Sequence, residues 1–418
     1  MRKDWKAILK RGDESVIEKL LPYKAVLKRC IPAPVRERVK VQLVRKRIQK
    51  IAGHNKVEKE RSFGVNVFGS VSGASGLSEA SRGVVACLRE AGIPVSIWDV
   101  ANNVQNAEKA APYAVNLMHV NPNQLPELLY TIPEKQWEGR YNIGFWVWEQ
   151  ENLPNEWRTF LPLFDEIWTP SEFSAAAIRR ATNLPVIVVP HVVAPVYDEM
   201  FDRKAFGLPD DVFLALLAFD CNSVVERKNP VGAIKALDIA FPEEKDRVGI
   251  IIKARNMPDK MREELLKQLH GWKNVFFLTG DYSKKEMNSL IRVSDIYVSL
   301  HRAEGFGLIL AEAMYLETPV IATNWSGNTE FMDETVACMV NADLVELKQD
   351  YPPFKKGSRW AEPDIRQAAK YVRQLYQEPT LRKKLAARAR SRIQHKLSVE
   401  EISRIVKERM EIIRLNME

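Results

Sequence analysis

From Phe63 onward the chain alternates short apolar runs with helical stretches, and that alternation restricts its fold more than any other feature. Segments 64–69, 93–100, 114–120, 141–148, 166–170 and 185–189 read as strands, with helices over 77–91 and from Glu172 between them. A Pro- and Asp-containing stretch at 194–209 interrupts the pattern, which then restarts. Strands at 212–219, 248–253, 275–278, 296–300 and 320–323 are separated by helices from Asn229 and over 259–269, 284–293 and 306–316. Such alternation implies a parallel sheet with helices on both faces. The expectation is an α/β fold of two Rossmann-like domains facing a central cleft, spanning 61–200 and 201–397. From Glu362 the chain reads as helical, with restarts at Pro379 and Ser398, and 398–418 is expected to pack back across the cleft.

Residues 1–60 stand apart as a helical extension with a strong charge bias. They carry 18 Lys+Arg against 7 Asp+Glu, whereas the remaining chain carries 44 against 47. The body is therefore close to neutral, which argues against a nucleic-acid partner. Val35, Val39, Leu43, Val44, Ile48 and Ile51 recur at helical spacing with basic residues between them. A basic amphipathic helix over 35–51 can lie on an anionic membrane surface; the alternative is that its apolar face packs on the protein itself or on a partner subunit. No apolar run approaches the roughly 20 residues of a membrane-spanning helix. The N-terminus lacks the apolar core of a secretory signal. Cys30, Cys87, Cys221 and Cys338 are too scattered for a zinc site or a disulfide framework. A cytoplasmic protein is expected, with peripheral attachment at the inner membrane face as an option.

Four constellations bear on chemistry. Gly69, Gly73 and Gly76 lie between the first strand and the first helix, where backbone can approach a ligand and a helix N-terminus can meet a phosphate. The spacing is not that of a dinucleotide fingerprint despite an acid at Asp99, and a plain tight turn explains it equally well. His119 ends a predicted strand, at the sheet edge where open α/β folds bind ligands, and also reads as a structural histidine. Arg227 and Lys228 are expected to open a helix, where the dipole already favours anions; they make sense beside a diphosphate, or as a solvated loop. The run from Ser299 to Leu308 is strand, loop and helix start, so that the N–H groups of Gly305, Phe306, Gly307 and Leu308 are placed to hold a phosphate. Glu304 and Glu312 would be about 12 Å apart at helical rise, wide for the paired carboxylates of a hydrolase. Arg302 reads as a solvated loop residue.

At these residues the sequence resembles the retaining glycosyltransferases with the GT-B fold, family GT4 (glycosyl transferases group 1). The Glu-x₇-Glu pattern stands as Glu304 and Glu312 around GFGL, and the likeness extends through SLHRAEGFGL, ERKNP, FWVWEQENLPNEW, DEIWTPSEFS, VPHVV and PVIATNWSGNTEF. It covers roughly 63–400 and leaves the extension outside. The resemblance implies a hexose transfer from a nucleoside diphosphate sugar to a glycan or lipid-linked glycan, in cell-surface polysaccharide biosynthesis. By it, Glu304 contacts the donor sugar and Glu312 the ribose. Arg227 and Lys228 neutralise the leaving diphosphate, His119 sits beside the anomeric centre, and Gly73 and Gly76 close over the phosphates. Retention would follow from attack on the face the diphosphate leaves, the diphosphate taking the acceptor proton. Many members carry a glycine–arginine pair after the first strand of the second domain; here Asp220 occupies that place. No Asp-x-Asp occurs, so no metal and no cofactor are expected, and the diphosphate charge would fall to fixed cations and a helix terminus. The rival readings are another enzyme of the same architecture, a sugar-nucleotide epimerase or a phosphorylase using pyridoxal phosphate, and a sugar-nucleotide-binding scaffold within a glycan assembly complex.

Overall fold

The computed structural model describes residues 33–53, 61–73, 75–100 and 111–417, with only the backbone course over 33–40. Most of the extension, including Val35, Val39 and Cys30, thus lies outside what can be said of side chains. The described elements begin with helix α1 (Ala33–Ala52). The first sheet then forms from β1 (Val65–Gly69), α2 (Gly76–Glu90), β2 (Val95–Asp99), β3 (Val115–His119), α3 (Leu125–Thr131), β4 (Tyr141–Phe145), α4 (Asn155–Arg158), β5 (Glu166–Thr169), α5 (Glu172–Arg179) and β6 (Val186–Val188). All its strands are parallel, in the order β2-β1-β3-β4-β5-β6.

The second sheet draws on β7 (Phe213–Asp220), α6 (Val225–Lys228), α7 (Pro230–Ala240), β8 (Val248–Arg255), α8 (Asp259–Gln268), β9 (Asn274–Leu278), α9 (Lys284–Val293), β10 (Ile296–Ser299), α10 (Leu308–Tyr315), β11 (Val320–Thr323) and β12 (Cys338–Val340). It is parallel in the order β12-β11-β10-β7-β8-β9. Near-continuous apolar strands such as FLALLAFD and VGIIIKAR are buried on both faces, which is what helices on either side of a parallel sheet require. Two successive Rossmann-like units are therefore present, and the fold is the GT-B arrangement expected.

An antiparallel hairpin, β13 (Ala342–Glu346) with β14 (Arg359–Pro363), was not among the expected elements. Its loop carries Phe354 and Leu347 into the tryptophan cluster of the first unit, where the Phe354 and Trp148 rings lie 5.6 Å apart. Arg359 makes a bidentate pair with Glu151 of that unit at 2.9 and 3.0 Å. Arg302, expected as a solvated loop residue, instead grips Glu362 of β14 at 2.7 and 3.0 Å and lies over Trp360. It holds the hairpin on the second sheet.

The apolar face of α1 is not free. Leu43, Val44, Ile48 and Ile51 are buried, the last three in the cluster that holds Trp157, Leu161 and Phe164. Arg47 and Lys50 both reach Glu134, at 3.7 and 2.5 Å. The membrane reading of 35–51 loses the face it needed, because the protein's own core already covers the part from Leu43 to Ile51. No helix among the described residues is long and apolar enough to cross a membrane.

The chain ends in α11 (Ile365–Gln377), α12 (Pro379–Lys396) and α13 (Val399–Met417). The last returns to the first unit: Ser403 Oγ donates to the Cys87 carbonyl of α2 at 3.2 Å, and Arg409 forms an ion pair with the fully buried Glu166. Glu166 also accepts from Tyr141 Oη and Trp168 Nε1, at 3.1 and 2.5 Å. Arg409→Met should cost about 3 kcal/mol, since removing one partner of a buried pair strands the other charge. Denaturant titration of the variant measures this, and a midpoint equal to the parent's would show that α13 is not anchored there.

Candidate active site in the cleft between the sheets

A cavity of about 250 Å³ opens between the two units. Ser75, Gly76, Glu79 and Arg82 of α2 and its cap form one wall; Asp220, Lys253, Arg255 and the 280–284 turn form the other, with Leu308, Ile309 and Glu312 of α10 below. These residues stand at the carboxyl ends of β1, β7, β8 and β9 and at three helix starts, the place where α/β sheets take ligands. Of the residues picked from sequence, the cavity brings together Gly76, Leu308 and Glu312. Gly73, His119, Arg227, Lys228, Glu304, Gly305, Phe306 and Gly307 do not line it, although several lie on the loops that lead to it.

Three details of the glycine and acid expectations change. Asp99 is spent on its own neighbourhood, accepting from the Val71 and Ser72 amides at 3.3 and 3.2 Å. Arg82 fixes the loop further by donating to the Val71 and Gly73 carbonyls at 2.6 and 3.0 Å. Gly305 is also required by packing: a Cβ there would meet Val147 Cγ1 at 2.4 Å, and its carbonyl accepts from Ser171 Oγ at 2.6 Å. Gly307 needs its freedom for another reason, a left-handed φ of 89° that starts α10.

Glu304 precedes that helix in irregular backbone, so the 12 Å helical span to Glu312 does not apply. Only 308–312 is helical, roughly 6 Å of rise. Arg227 and Lys228 likewise do not open α7. They occupy the last turn of the four-residue α6, and Asn229, at φ 53°, caps α7 by accepting from the Gly232 amide at 3.1 Å.

The cluster they form with Glu304 is tight. Lys228 Nζ pairs with Glu304 Oε1, and Arg227 Nη1 lies 3.2 Å from the same oxygen. Arg227 also donates to the Ala303 carbonyl at 2.7 Å and reaches Glu149 of the first unit at 3.2 Å. Burial alone would raise the pKa of Glu304, but Lys228 and Arg227 override it and hold the carboxyl at about 2. Glu149, with less help, is pushed up by burial. Glu304 is therefore a fixed carboxylate.

Glu312 is different. Lys284 pairs with its Oε1, while Oε2 is buried with no hydrogen-bond partner. Burial raises its pKa against the pull of Lys284. Glu312 lines the cavity, and a buried carboxylate oxygen without a donor is an unfilled acceptor.

Lys253, Arg255, Lys284 and Glu149 escaped the sequence reading. Lys253 ends the apolar run VGIII at the carboxyl edge of β8, and a lysine interrupting a buried strand was the available signal. It donates to the Gly280 carbonyl at 2.6 Å and sits 4.2 Å over the Tyr282 ring. Lys284 begins α9 behind the Ser283–Glu286 capping box, a position where the helix dipole disfavours a cation. Glu149 had no signal, because its partner is 78 residues away in sequence.

His119 is fully buried at the end of β3, stacked on Phe145 at 4.4 Å. Burial lowers its pKa to about 4, and that of neighbouring His191 to about 3. Both imidazoles are neutral.

The fold and cleft thus define a GT-B protein with a polar, charged cleft lined by two Rossmann-like units. Residues 215–392, most of the second unit, match the family Glycosyl transferases group 1. No curated protein matches the chain. Among solved structures it is similar to the sucrose-phosphate synthase of Thermosynechococcus elongatus, with TM-score 0.63 and 14% identity over 85% of this chain and 100% of that one. It is also similar to Anabaena HepE in complex with UDP and glucose, with TM-score 0.59 and 15% identity over 84% of this chain and 100% of that one. TarM of S. aureus, in complex with Fondaparinux, alpha-GlcNAc-glycerol and UDP, gives TM-score 0.52 and 15% identity over 71% of this chain. The chain spans 55% of the length of TarM. At these identities the likeness is one of fold.

Proposed function

We propose that the protein is a retaining, metal-independent glycosyltransferase that moves a hexose from a nucleoside diphosphate sugar to a glycan or lipid-linked glycan acceptor. The observation that carries this reading is the buried, unpartnered Oε2 of Glu312, in a residue that lines a cleft together with Arg82, Lys253, Arg255 and Lys284 and the acids Glu79, Asp220 and Asp281. A ribose hydroxyl supplies the donor that oxygen lacks. Lys253, Arg255, Arg82 and the start of α10 then surround the path of a diphosphate, and the Lys228–Glu304–Arg227 cluster waits at its sugar end. Departing negative charge is stabilised by cations already in place, which needs no metal and little reorganisation. Glu304, held ionised, accepts from sugar hydroxyls rather than donating a proton. Complexes of structurally similar proteins with UDP favour a uridine carrier. Assembly of a cell-surface polysaccharide suits such an enzyme.

The direct test is a thermal-shift panel of UDP, GDP, dTDP and ADP, since a ligand that binds only the folded state raises Tm by mass action. One nucleotide is expected to stand out, and its hexose conjugates should be slowly hydrolysed in excess chelator. Stabilisation without hydrolysis or transfer to any acceptor would point to a binding scaffold. Activity lost in chelator and restored by Mg²⁺ or Mn²⁺ would overturn metal independence.

A further inference from the structure

The proton arrangement around His119 can be worked out from the atoms that surround it. Its Nδ1 lies 2.9 Å from Ser81 Oγ of α2. That same hydroxyl donates to the Leu77 carbonyl one turn earlier, at 3.0 Å. A hydroxyl has one proton to give. With that proton on Leu77, Oγ faces His119 as an acceptor, and the proton between them belongs to Nδ1. The opposite assignment fails on separate grounds. It would place the imidazole proton on Nε2, which is buried with no hydrogen-bond partner. An orphaned buried N–H is rarer than an unfilled lone pair.

We propose that Ser81 is a positioning residue that holds His119 as the Nδ1–H tautomer, and that the bare Nε2 accepts a hydrogen bond from a hydroxyl of the sugar ligand. The tautomer follows from the protein alone; the ligand half rests on the glycosyltransferase reading. Two neighbours support a ligand there. His191, 6.4 Å away between ring centroids, also has a buried ring nitrogen, Nδ1, without a partner. Phe145 stacks on both imidazoles and Phe306 lies against His191, giving apolar rings beside two unfilled nitrogens. Apolar walls with a few fixed polar atoms are what a sugar ring requires. Because the imidazole is such a weak base in this setting, His119 accepts a hydrogen bond near neutral pH without keeping the proton. Its part is to orient a hydroxyl.

Long-range ¹⁵N–¹H correlation spectra of the full ¹⁵N-labelled chain at neutral pH decide the first half, with His119 assigned by the signal lost in His119→Asn. The expected pattern is a protonated Nδ1 with an unprotonated Nε2, lost or mixed in Ser81→Ala. An Nε2–H tautomer or an imidazolium in the parent overturns the proposal, as does an unchanged pattern in Ser81→Ala. The second half uses whichever of UDP-glucose, UDP-N-acetylglucosamine and GDP-mannose stabilises the protein most. Its addition should move the Nε2 resonance to lower frequency, and the parent nucleoside diphosphate alone should not. A bound nucleotide sugar that leaves Nε2 unmoved overturns the ligand contact. If none of the three binds, the glycosyltransferase reading fails with it, while the free-protein spectrum still decides the role of Ser81. In turnover, Ser81→Ala should lower kcat about tenfold with KM for the nucleotide sugar unchanged. A rise in KM alone would reduce Ser81 to a packing residue.

Discussion

Lys228→Ala is expected to slow sugar transfer by about 10²–10³-fold, the loss that follows removal of one preorganised donor from a developing anion. Lys228 is the better of the two cations to test. Its side chain is 21% exposed, so truncation leaves little buried void, whereas Arg227 is 6% exposed and shared by Glu149 and Glu304. Arg227→Met would strand two carboxylates and confuse catalysis with folding. Losing Lys228 removes one of the two cations that depress the Glu304 pKa to about 2. Arg227 remains 3.2 Å away as the other cation on Glu304. Single-turnover rates with saturating nucleotide sugar and excess chelator isolate the transfer step. Lys228→Arg should retain more activity than Lys228→Ala because it keeps the charge. A near-parent rate for Lys228→Ala would remove this residue from the site.

The second large effect is a split between the two glutamates. Glu304→Ala should act on turnover, since the carboxylate is locked by Lys228 and Arg227, while the Ser326 hydroxyl accepts from the Glu304 backbone amide at 2.8 Å. Glu312→Ala should act on nucleotide affinity by about 1.5–3 kcal/mol, the range for a hydrogen bond to a charged group. That corresponds to roughly 10- to 150-fold in Kd. Isothermal calorimetry with the nucleoside diphosphate separates the two. Equal affinity of Glu312→Ala and the parent would mean that its free Oε2 is not the ribose acceptor. Turnover of Glu304→Ala within a few-fold of the parent would place the sugar elsewhere. The structure adds a caution to the reading of Glu312→Ala, because Lys284 then loses its partner and brings a spare cation to the cleft. Lys284→Met in the same background should weaken binding further if that cation serves the diphosphate.

The sheets were legible because parallel strands covered on both faces must be nearly all apolar, and FLALLAFD and VGIIIKAR announce that directly. The restarts at Pro379 and Ser398 were legible for the same kind of local reason, since proline opens α12 and the next helix begins at Val399. The hairpin β13–β14 was not, because β13 is mostly exposed and lacks an apolar signature. What the sequence by itself determined was the presence of two β/α units, their order, and the residue types available at the strand ends. The tertiary structure alone decided which of those residues meet. It put Gly76 and Glu312 on one cavity and packed Gly305 against Val147. It also covered the described part of the apolar face of α1, from Leu43 to Ile51, with the protein's own core. Periodicity reports that a helix has an apolar face, but the occupant of that face is set by chain segments more than a hundred residues away, as Leu161 and Phe164 are from Ile48. The Ser81–His119 bond spans 38 residues and two elements. Its proton was assigned only once Leu77, Oγ and Nδ1 stood within hydrogen-bonding distance, because the direction of a hydrogen bond depends on every partner competing for the same proton.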